Sequence, residues 1–384
     1  MSKCLSILMI HQGAELYGSD RSFVASVCAL RQRHPDAKID VVLPEQGPIV
    51  NLLEPHSNEI RFDARGILRK VALRSDPWRT LEGMARAWFE YRSLIDTYDI
   101  CYVNTVVCVA AIAALRARRG GAYVHVREIP SGLACHIFKA LLKFSRASLI
   151  YNSHATAATF KLPGSVIHNG VELVGESVPV TPRSRRALRL AIIGRINSWK
   201  GQQFVLDSLR TLGRKLPAEV RIVGDVFAGY ENLRVKLEET ANACTQQVDI
   251  EGFTNDPAAH YAWADFVLVP STLPEPFGRV AIESFAAGRP VIASSAGGLT
   301  EIVTDAVTGF LFKPNDAEDF VRALKSALSM TDIAYERMAS AARDKYMSAF
   351  TVSTYMGAIA DTVCSQVSEA TDSSANVAPH RDTR

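Results

Sequence analysis

Residues 270–290 have the sequence PSTLPEPFGRVAIESFAAGRP, in which a proline-rich turn leads into a short apolar helix pattern. Proline favours extended or turn backbone in the residue before it, and the pattern after Gly278 predicts a helix that ends at Gly288. Apolar runs at 266–269 and 290–293 predict a buried strand on either side of this helix. A strand, a loop, a helix and a second strand form the unit of a parallel sheet with helices on its faces. The stretch therefore indicates an α/β fold.

Two carboxylates, Glu275 and Glu283, lie eight residues apart around the start of the predicted helix. The first N–H groups of a helix have no partner inside it and suit a phosphate. Here those groups belong to Phe277, Gly278, Arg279 and Val280. Glu275, ahead of the helix, and Glu283, two turns inside it, would each bind hydroxyl groups. A nucleotide-sugar has this layout, because a diphosphate joins its sugar to its ribose.

The spacing of Glu275 and Glu283 is the Glu-x7-Glu motif of the retaining glycosyltransferase family 4, which the chain resembles over residues 5–345. Three further motifs occur in the order that the family has them. They are His168-Asn169-Gly170-Val171, Gly194-Arg195-Ile196 with Lys200-Gly201, and Gly297-Gly298 with Glu301 and Gly309. Any one motif occurs by chance, so the resemblance rests on all four in order.

The resemblance implies the GT-B architecture, in which two doubly wound, Rossmann-like domains face each other across a cleft. It also implies a retaining transfer of sugar from a nucleotide-sugar, with Glu275 among the catalytic residues. Arg195 and Lys200 would stabilise the charge of the departing nucleoside diphosphate. The sequence has no convincing Asp-x-Asp motif or His/Cys ligand cluster, which favours metal-independent chemistry. Ligands of open α/β sheets bind beyond the carboxyl ends of the strands, where Phe253 and Ser271 are also expected to lie.

In the first domain, the predicted strand 122–126 carries His125, and Arg127 and Glu128 follow it. The resembling family has a histidine near this strand end, close to the reacting sugar. Either His125 or the pair Arg127-Glu128 would take that place. Residues 125 and 127 point to the same face of a strand, so both would reach the site.

The resemblance implies that two more segments lie on the acceptor side. Family members commonly have two adjacent glycines in the loop after the first strand, where this chain has Gly18-Ser19. The substitution leaves open which residue of the loop lies closest to the sugar. The second segment contains Asn169, near the end of the first domain.

A chain of 384 residues is long enough for two domains with separate cores. The alternation of strands and helices starts twice, which predicts an N-terminal acceptor-side domain over 1–175 and a C-terminal nucleotide-sugar domain over 189–345. Residues 176–188, rich in Pro, Ser, Thr and Arg, predict a linker. A helix over 346–366 would return to the first domain, and 367–384, without an apolar period, predict a disordered tail.

Eleven short apolar runs predict the strands of the two sheets. They are 5–10, 39–43, 100–103, 122–126, 148–151 and 165–167 in the first half, and 190–193, 219–223, 248–251, 266–269 and 290–293 in the second. The helices lie between them.

The net charge of +3 is unevenly distributed along the chain. Residues 1–175 contain 21 Lys and Arg against 15 Asp and Glu, whereas the remainder contains 22 against 25. Much of the basic excess lies at 61–92, among Trp78, Trp88 and Phe89, and a second basic group shares a helix pattern with apolar residues. That group consists of Lys139, Lys143 and Arg146. Both segments would dock on anionic lipid headgroups, although amphipathic helices with their charges in water explain them equally well.

The seven cysteines show neither metal-ligand nor Cys-x-x-Cys spacing, and several lie in apolar runs, which favours reduced thiols in a cytoplasmic protein. The apolar run 5–10 is too short for a signal peptide. We therefore expect a cytoplasmic enzyme, peripheral at the inner face of the cytoplasmic membrane. Its partners would be a nucleotide-sugar donor and a glycan or lipid-linked acceptor, with no nucleic acid and no cofactor beyond the substrate.

Three other functions compete with glycosyl transfer. A nucleotide-sugar epimerase has the same two-domain fold and would release nucleotide without an added acceptor. A non-catalytic sugar-nucleotide binding protein has no need of Arg195, Lys200, Glu275 and Glu283 together. A Rossmann dehydrogenase is disfavoured because no Gly-x-Gly-x-x-Gly follows the first strand.

Overall fold

The computed structural model describes residues 4–118, 121–173, 186–213 and 216–375. The chain divides into two compact units. The first consists of Met1–His168 with Ser353–Arg384, and the second of Asn169–Val352. Each unit is a parallel sheet with helices on its faces, so the predicted α/β fold class is confirmed.

The sheet of the first unit has seven strands in the order β3-β2-β1-β4-β5-β6-β7. They are β1 (Ser6–His11), β2 (Lys38–Leu43), β3 (Glu59–Phe62), β4 (Ile100–Asn104), β5 (Ala122–Val126), β6 (Ser148–Tyr151) and β7 (Ser165–Val166). The helices are α1 (Gly18–Arg33), α2 (Ile49–Leu53), α3 (Lys70–Ser75), α4 (Pro77–Ile95), α5 (Val109–Ala114), α6 (Gly132–Ser145) and α7 (His154–Phe160), with short 3-10 turns at Glu54–His56 and Leu115–Ala117.

The sheet of the second unit has six strands in the order β10-β9-β8-β11-β12-β13. They are β8 (Leu188–Ile193), β9 (Ala218–Val223), β10 (Gln247–Glu251), β11 (Phe266–Val269), β12 (Val291–Ser294) and β13 (Gly309–Phe312). The helices are α8 (Gln202–Leu212), α9 (Glu231–Asn242), α10 (Ala258–Trp263), α11 (Arg279–Ala286), α12 (Leu299–Ile302), α13 (Ala317–Leu328) and α14 (Asp332–Ala349), and the last helix of the chain is α15 (Val352–Ala375).

Apolar cores lie on both faces of each sheet. In β1, Ile7 and Met9 belong to one cluster and Leu8 and Ile10 to the other, because successive strand residues point to opposite faces. The last helix of the chain, α15, contributes to the cluster that contains Ile7 and Met9. Its members there are Tyr355, Ile359, Ala360 and Val363.

The strand order reverses between β1 and β4 in the first sheet and between β8 and β11 in the second. Such a reversal opens a crevice at the carboxyl edge of a sheet, where ligands of this class of fold bind. Each unit therefore has one favoured place for a site.

The eleven predicted strands are all present, with ends that differ by no more than one or two residues. Two strands were not predicted. β3 has the alternating sequence EIRF and β13 the short sequence GFLF, and both lie at a sheet edge, where a strand pairs on one side and shows no long apolar run.

The domain limits differ in detail from those expected. The second unit begins at Asn169 and extends to Val352, and a helix break at 350–351 separates α14 from α15 where one helix over 346–366 was expected. The last helix continues to Ala375, beyond residue 366, where we expected disorder to begin. Residues 376–384 and 174–185, the latter including most of the expected linker 176–188, lie outside the described residues. Within the described ranges no helix is both long and apolar enough to cross a membrane.

Candidate functional site

A buried carboxylate and a lysine meet at the carboxyl edge of the second sheet. The Nζ of Lys200 lies 2.8 and 2.9 Å from the two oxygens of Glu275, and the Ser271 hydroxyl donates to Glu275 Oε2 at 2.8 Å. Glu275 and Ser271 are buried, whereas about a quarter of the Lys200 side chain is exposed. A carboxylate has about four acceptor sites, so one remains for a ligand hydroxyl beside these three contacts.

Hydrogen bonds within the loop after β8 fix the position of Lys200. The Asn197 side-chain oxygen accepts from the N–H groups of Trp199 (3.1 Å) and Lys200 (2.8 Å), which closes a tight turn. The Trp199 carbonyl then accepts from the Thr272 N–H at 2.8 Å. The lysine loop is thus bound directly to the loop that carries Glu275.

Two close backbone contacts require glycine at this site. Gly201 has φ +82°, and a Cβ there would lie 1.9 Å from the Pro270 carbonyl oxygen. Gly297 has φ +62°, pairs with Glu275 as an isolated bridge, and would place a Cβ 2.1 Å from the Glu275 carbonyl oxygen. Only glycine adopts these angles without strain and leaves the space empty. The separate sequence motifs are therefore parts of one packed site.

Arg195 follows β8 at the same edge. Its backbone carbonyl accepts from the Gln202 side chain at 2.9 Å, and the next residue, Ile196, donates to the Asp225 carbonyl at 2.9 Å. The Arg195 guanidinium lies over the ring of Phe227, 3.3 Å from its centroid. Phe227, in the loop after β9, is half-exposed and was not predicted as a site residue. The sequence carried no signal for this contact, because Arg195 and Phe227 follow different strands.

Replacing Phe227 with leucine should weaken the alignment of Arg195, because a cation over an aromatic face at an exposed site gains about 0.5–1 kcal/mol. We expect kcat/KM to fall two- to fivefold, the change in rate that corresponds to this loss of free energy. Phe227→Tyr should retain the wild-type kcat/KM. Steady-state kinetics with the cognate donor provide the measurement. A leucine variant as active as wild type would show that the stacking contact does not position Arg195.

Glu283 lies on α11 between two partners. The Tyr261 hydroxyl donates to Glu283 Oε2 at 2.9 Å and Arg279 Nε donates to Oε1 at 2.8 Å. Burial, together with the charge of Glu283, raises the pKa of Tyr261 well above its usual range, so the phenol stays protonated and donates. Tyr261, which was not predicted, orients the carboxylate from α10. Each oxygen keeps a lone pair for the hydroxyls of a ribose.

We expect Glu283→Gln to raise the donor KM by one to two orders of magnitude with little change in kcat. The reason is that a hydrogen bond to a charged group contributes about 1.5–3 kcal/mol and that contact is made in the ground state and the transition state alike. Arg279→Ala is the matched control, because it removes the ion pair and keeps the carboxylate. An unchanged donor KM in Glu283→Gln, or an equal rise of the donor KM in both variants, would show that Glu283 does not bind the ribose.

The residues proposed to bind phosphate lie at the start of α11. Gly278 is the N-cap and supplies no side chain to the first N–H groups of the helix. The side chain of Phe277 is buried and packs edge-on against Phe350, with ring centroids 6.2 Å apart, so this side chain is not placed to contact a ligand. Val280 is half-buried, and Phe253, after β10, is largely exposed.

A second polar cluster lies at the carboxyl edge of the first sheet. The Tyr102 hydroxyl and a guanidinium nitrogen of Arg127 both face Nδ1 of His125, at 2.5 and 3.2 Å. Arg127 also donates to the Asn104 side-chain oxygen (2.6 Å) and to the hydroxyl of Tyr355 on α15 (2.9 Å). All five residues are buried. His125 and Arg127 thus share one face, as predicted, in contact with each other.

His125 is neutral in this setting. Burial, and secondarily the neighbouring charge of Arg127, lowers the pKa of His125 well below its ordinary value of 6.5. Because Nδ1 accepts, the proton lies on Nε2, which has no hydrogen-bond partner among the described residues. Glu128 accepts from the N–H groups of Val106 (3.2 Å) and Arg127 (3.1 Å), and burial raises its pKa.

This geometry predicts a pH dependence of stability. Below pH 6.5 the unfolded chain binds a proton at His125 and the folded chain does not. As the pH is lowered, the free energy of unfolding therefore decreases by up to about 1.4 kcal/mol per pH unit for this group. His125→Asn keeps an acceptor for Tyr102 and cannot titrate. We expect its urea midpoint to fall less between pH 7.5 and 5.5 than that of wild type, and parallel profiles would show that the pKa of His125 is the same in the folded and unfolded protein.

The loop after β1 is held by Asp20. Its carboxylate contacts His11 Nε2 at 2.8 Å, the Ser19 hydroxyl at 3.2 Å and the Tyr17 N–H at 2.9 Å. The Asn104 amide contacts the other ring nitrogen of His11 at 2.8 Å. The predicted residue Ser19 is therefore directed towards Asp20. No sequence motif indicated this histidine and aspartate.

The proposed residues divide between the two units. The second unit contains Arg195, Lys200, Phe253, Ser271, Glu275, Phe277, Gly278, Arg279, Val280 and Glu283, together with Asn169, which is buried at its beginning. The first unit contains Gly18, Ser19, His125, Arg127 and Glu128.

Comparison with known proteins identifies the family of the second unit. Residues 180–345 match the family model described as "Glycosyl transferases group 1". Lipopolysaccharide 1,2-N-acetylglucosaminetransferase of Salmonella typhimurium is 30% identical over 149 residues, which is 36% of this chain and 39% of that enzyme. The D-inositol 3-phosphate glycosyltransferase of Jonesia denitrificans is 26% identical over 315 residues, 74% of this chain and 72% of the relative.

The solved structure of HepE from Anabaena in complex with UDP-glucose superposes with a TM-score of 0.74 at 24% identity, covering 94% of this chain and 100% of that one. Its similarity identifies the fold. The chain spans 39% of the length of the Salmonella enzyme, and 35% and 34% of two further curated relatives. The chain has the GT-B fold, and its residues 180–345, which contain Lys200, Glu275 and Glu283, belong to the glycosyl transferases group 1 family.

Proposed function

We propose that this protein is a retaining glycosyltransferase of family 4 that moves a sugar from a nucleotide-sugar to a hydroxyl of a glycan or lipid-linked acceptor. The observation that carries the proposal is the contact between Lys200 and Glu275 ahead of the N-terminus of α11. A cation, a hydroxyl-binding carboxylate and the N-terminus of a helix match the charge and shape of a nucleoside diphosphate sugar.

The transfer is proposed to need no metal. Breaking the glycosidic bond leaves a diphosphate with added negative charge, and fixed cations stabilise that charge most where it is greatest. Lys200 and Arg195 would supply those cations, assisted by the N–H groups at the start of α11. In the structure Glu275 forms an ion pair with Lys200. Donor phosphate would take over part of that ion pair and leave Glu275 free to accept from a sugar hydroxyl.

The retaining outcome is proposed to follow from a front-face displacement. Glu275 is bound to Lys200 and Ser271 and is not placed as an unpartnered nucleophile. The leaving phosphate itself would then help to deprotonate the acceptor hydroxyl. The Nε2–H of His125 remains the proposed contact of the first unit with the reacting sugar, with Gly18, Ser19, Arg127, Glu128 and Asn169 as the acceptor-side residues.

The acceptor class and location extend the proposal. The name of the Salmonella relative supports an acceptor on a cell-surface glycan or glycolipid, and the HepE complex with UDP-glucose supports a uridine nucleotide-sugar as the first donor to test. A lipid-linked acceptor would be met at the inner face of the cytoplasmic membrane.

A thermal-shift screen of UDP-, GDP- and dTDP-sugars tests the proposal. A ligand at a hundred times its dissociation constant stabilises the folded protein by about 2.7 kcal/mol, so the cognate donor should stand out by several degrees. Slow hydrolysis of that donor, followed by NMR, should release first the sugar anomer that the donor contains. Absence of stabilisation by every nucleotide-sugar would contradict the proposal.

The same experiment separates the alternative functions. An epimerase would convert the donor sugar without an added acceptor, and a binding protein would be stabilised without any turnover. Release of the retained anomer, accelerated transfer to an added glycan and an unaltered sugar configuration together support the transferase.

A further inference from the structure

Helix α6 of the first unit carries apolar side chains on the side that faces away from the core. Leu133, Ile137, Ala140 and Phe144 follow one another at helical spacing and are exposed, with 75% of Leu133, 54% of Ile137 and 52% of Phe144 accessible. The opposite side of the helix holds the buried residues Phe138, Leu142 and Ser145. A surface helix normally places polar residues on its outer side. We call these four exposed residues the α6 stripe.

Basic residues flank the α6 stripe. Lys139, Lys143 and Arg146 lie on α6 or directly after it, and the Arg116 guanidinium lies 5.7 Å from the ring centroid of Phe144. The sequence from 129 to 171 contains no Asp or Glu. None of the carboxylates in the described ranges forms an ion pair with Lys139, Lys143 or Arg146.

The other candidate segment, 61–92, differs in its charges. Arg65 pairs with Asp63 and Glu90, and Arg86 pairs with Glu82. Its helix α4 also exposes apolar residues, among them Trp78 and Phe89, but the four acidic residues of 61–92 offset half of its eight basic residues. Of the two segments expected to contact lipid, α6 is therefore the one that contains no acidic residue.

The occupant of the α6 stripe must be apolar at its centre and negatively charged around it. A second copy of this chain does not satisfy both conditions, because a two-fold interface would set the same lysines and arginine against each other. An anionic bilayer satisfies both: acyl chains receive leucine, isoleucine and phenylalanine, and headgroups receive the cations.

We propose that the α6 stripe, with Lys139, Lys143 and Arg146, docks the first unit on an anionic membrane surface. The inference deepens the proposed function, on which it rests for its biological meaning, because it names the face that would meet a lipid-linked acceptor. Binding itself needs neither donor nor turnover.

Sedimentation of the full-length protein with vesicles of phosphatidylglycerol and phosphatidylcholine tests the docking. Each basic side chain near an anionic surface contributes about fivefold to partitioning, so Lys139→Glu/Lys143→Glu/Arg146→Glu should bind at least about a hundredfold more weakly. Leu133→Ser/Ile137→Ser/Phe144→Ser should also lose binding. Both losses should occur at unchanged melting temperature and donor hydrolysis, since these side chains are partly or largely exposed.

Matched changes on the second unit serve as controls. Lys236→Glu/Lys325→Glu/Arg337→Glu alters the net charge equally at exposed positions, and Val235→Ser/Val307→Ser/Ile333→Ser removes apolar residues of similar exposure. Both control variants should sediment like wild type. Lys200→Ala should also sediment like wild type, so failure of docking and failure of catalysis are separable.

Three results would overturn the proposal. One is equal sedimentation with neutral vesicles. Another is retention of the wild-type protein in the supernatant at low salt, which would point to an acidic protein as the partner. The third is a dimer in analytical ultracentrifugation that dissociates when the α6 stripe is changed to serine, which would make the face a contact between two copies.

Discussion

Replacing Lys200 with alanine is expected to lower kcat/KM by about 2–4 kcal/mol, the scale of losing one preorganised group that stabilises transition-state charge. The side chain is held by Glu275 through two short contacts, at 2.8 and 2.9 Å, and its backbone is fixed by the Asn197 turn. Wild-type activity should persist in excess EDTA, because the cations are part of the protein. Steady-state kinetics in the chelator measure both effects together.

Lys236→Ala is the control for this substitution, since Lys236 is an exposed lysine of α9 in the same unit. It should leave kcat/KM unchanged. Complete loss of wild-type turnover in EDTA, restored by Mg²⁺ or Mn²⁺, would show that a metal does the work assigned to Lys200 and Arg195.

Replacing Gly201 with alanine is expected to destabilise the protein by about 2–5 kcal/mol, the sum of roughly 1–2 for a left-handed residue and about 1–3 for overpacking. The new Cβ would lie 1.9 Å from the Pro270 carbonyl oxygen, so the lysine loop or the loop after β11 must move. Because Lys200 precedes Gly201, the same movement should separate Lys200 from Glu275 and lower kcat/KM.

Gly213→Ala isolates the steric part of this effect. Gly213 ends the same helix α8 with φ +63°, but the nearest atom to its added Cβ is the Thr211 carbonyl oxygen at 3.8 Å. It should therefore cost only the conformational part, about 1–2 kcal/mol, with kinetics unchanged. Equal urea midpoints for the two alanine variants would mean that the contact with Pro270 is not tight in solution.

The fold was predictable from the sequence because its strands are buried on both faces and appear as uninterrupted apolar runs. The runs at 100–103 and 266–269 are examples, and each became a central strand beside the reversal of strand order. The edge strands Glu59–Phe62 and Gly309–Phe312 were missed, because a strand that is paired on one side needs no such run. The end of α15 was misjudged since a helix of small polar residues has no apolar period.

The candidate site was predictable where a sequence motif contains a glycine that the backbone requires. Glycines at 201 and 297 proved to be contact points with the loop of Glu275, which the order of the motifs did not reveal. Contacts between side chains from different strands were beyond prediction. Arg195 on Phe227 and Tyr261 on Glu283 depend on the register and twist of neighbouring elements, and no spacing along one chain encodes that.

The central claim, a metal-independent nucleotide-sugar site at the start of α11, is tested most directly by calorimetric titration of the stabilising nucleotide-sugar in EDTA. The account predicts binding to wild type at one site per chain, and at least tenfold weaker binding to Lys200→Ala and to Glu283→Gln. Lys236→Ala should bind like wild type. Binding that requires added Mg²⁺, or that is equal in all four proteins, would contradict the account.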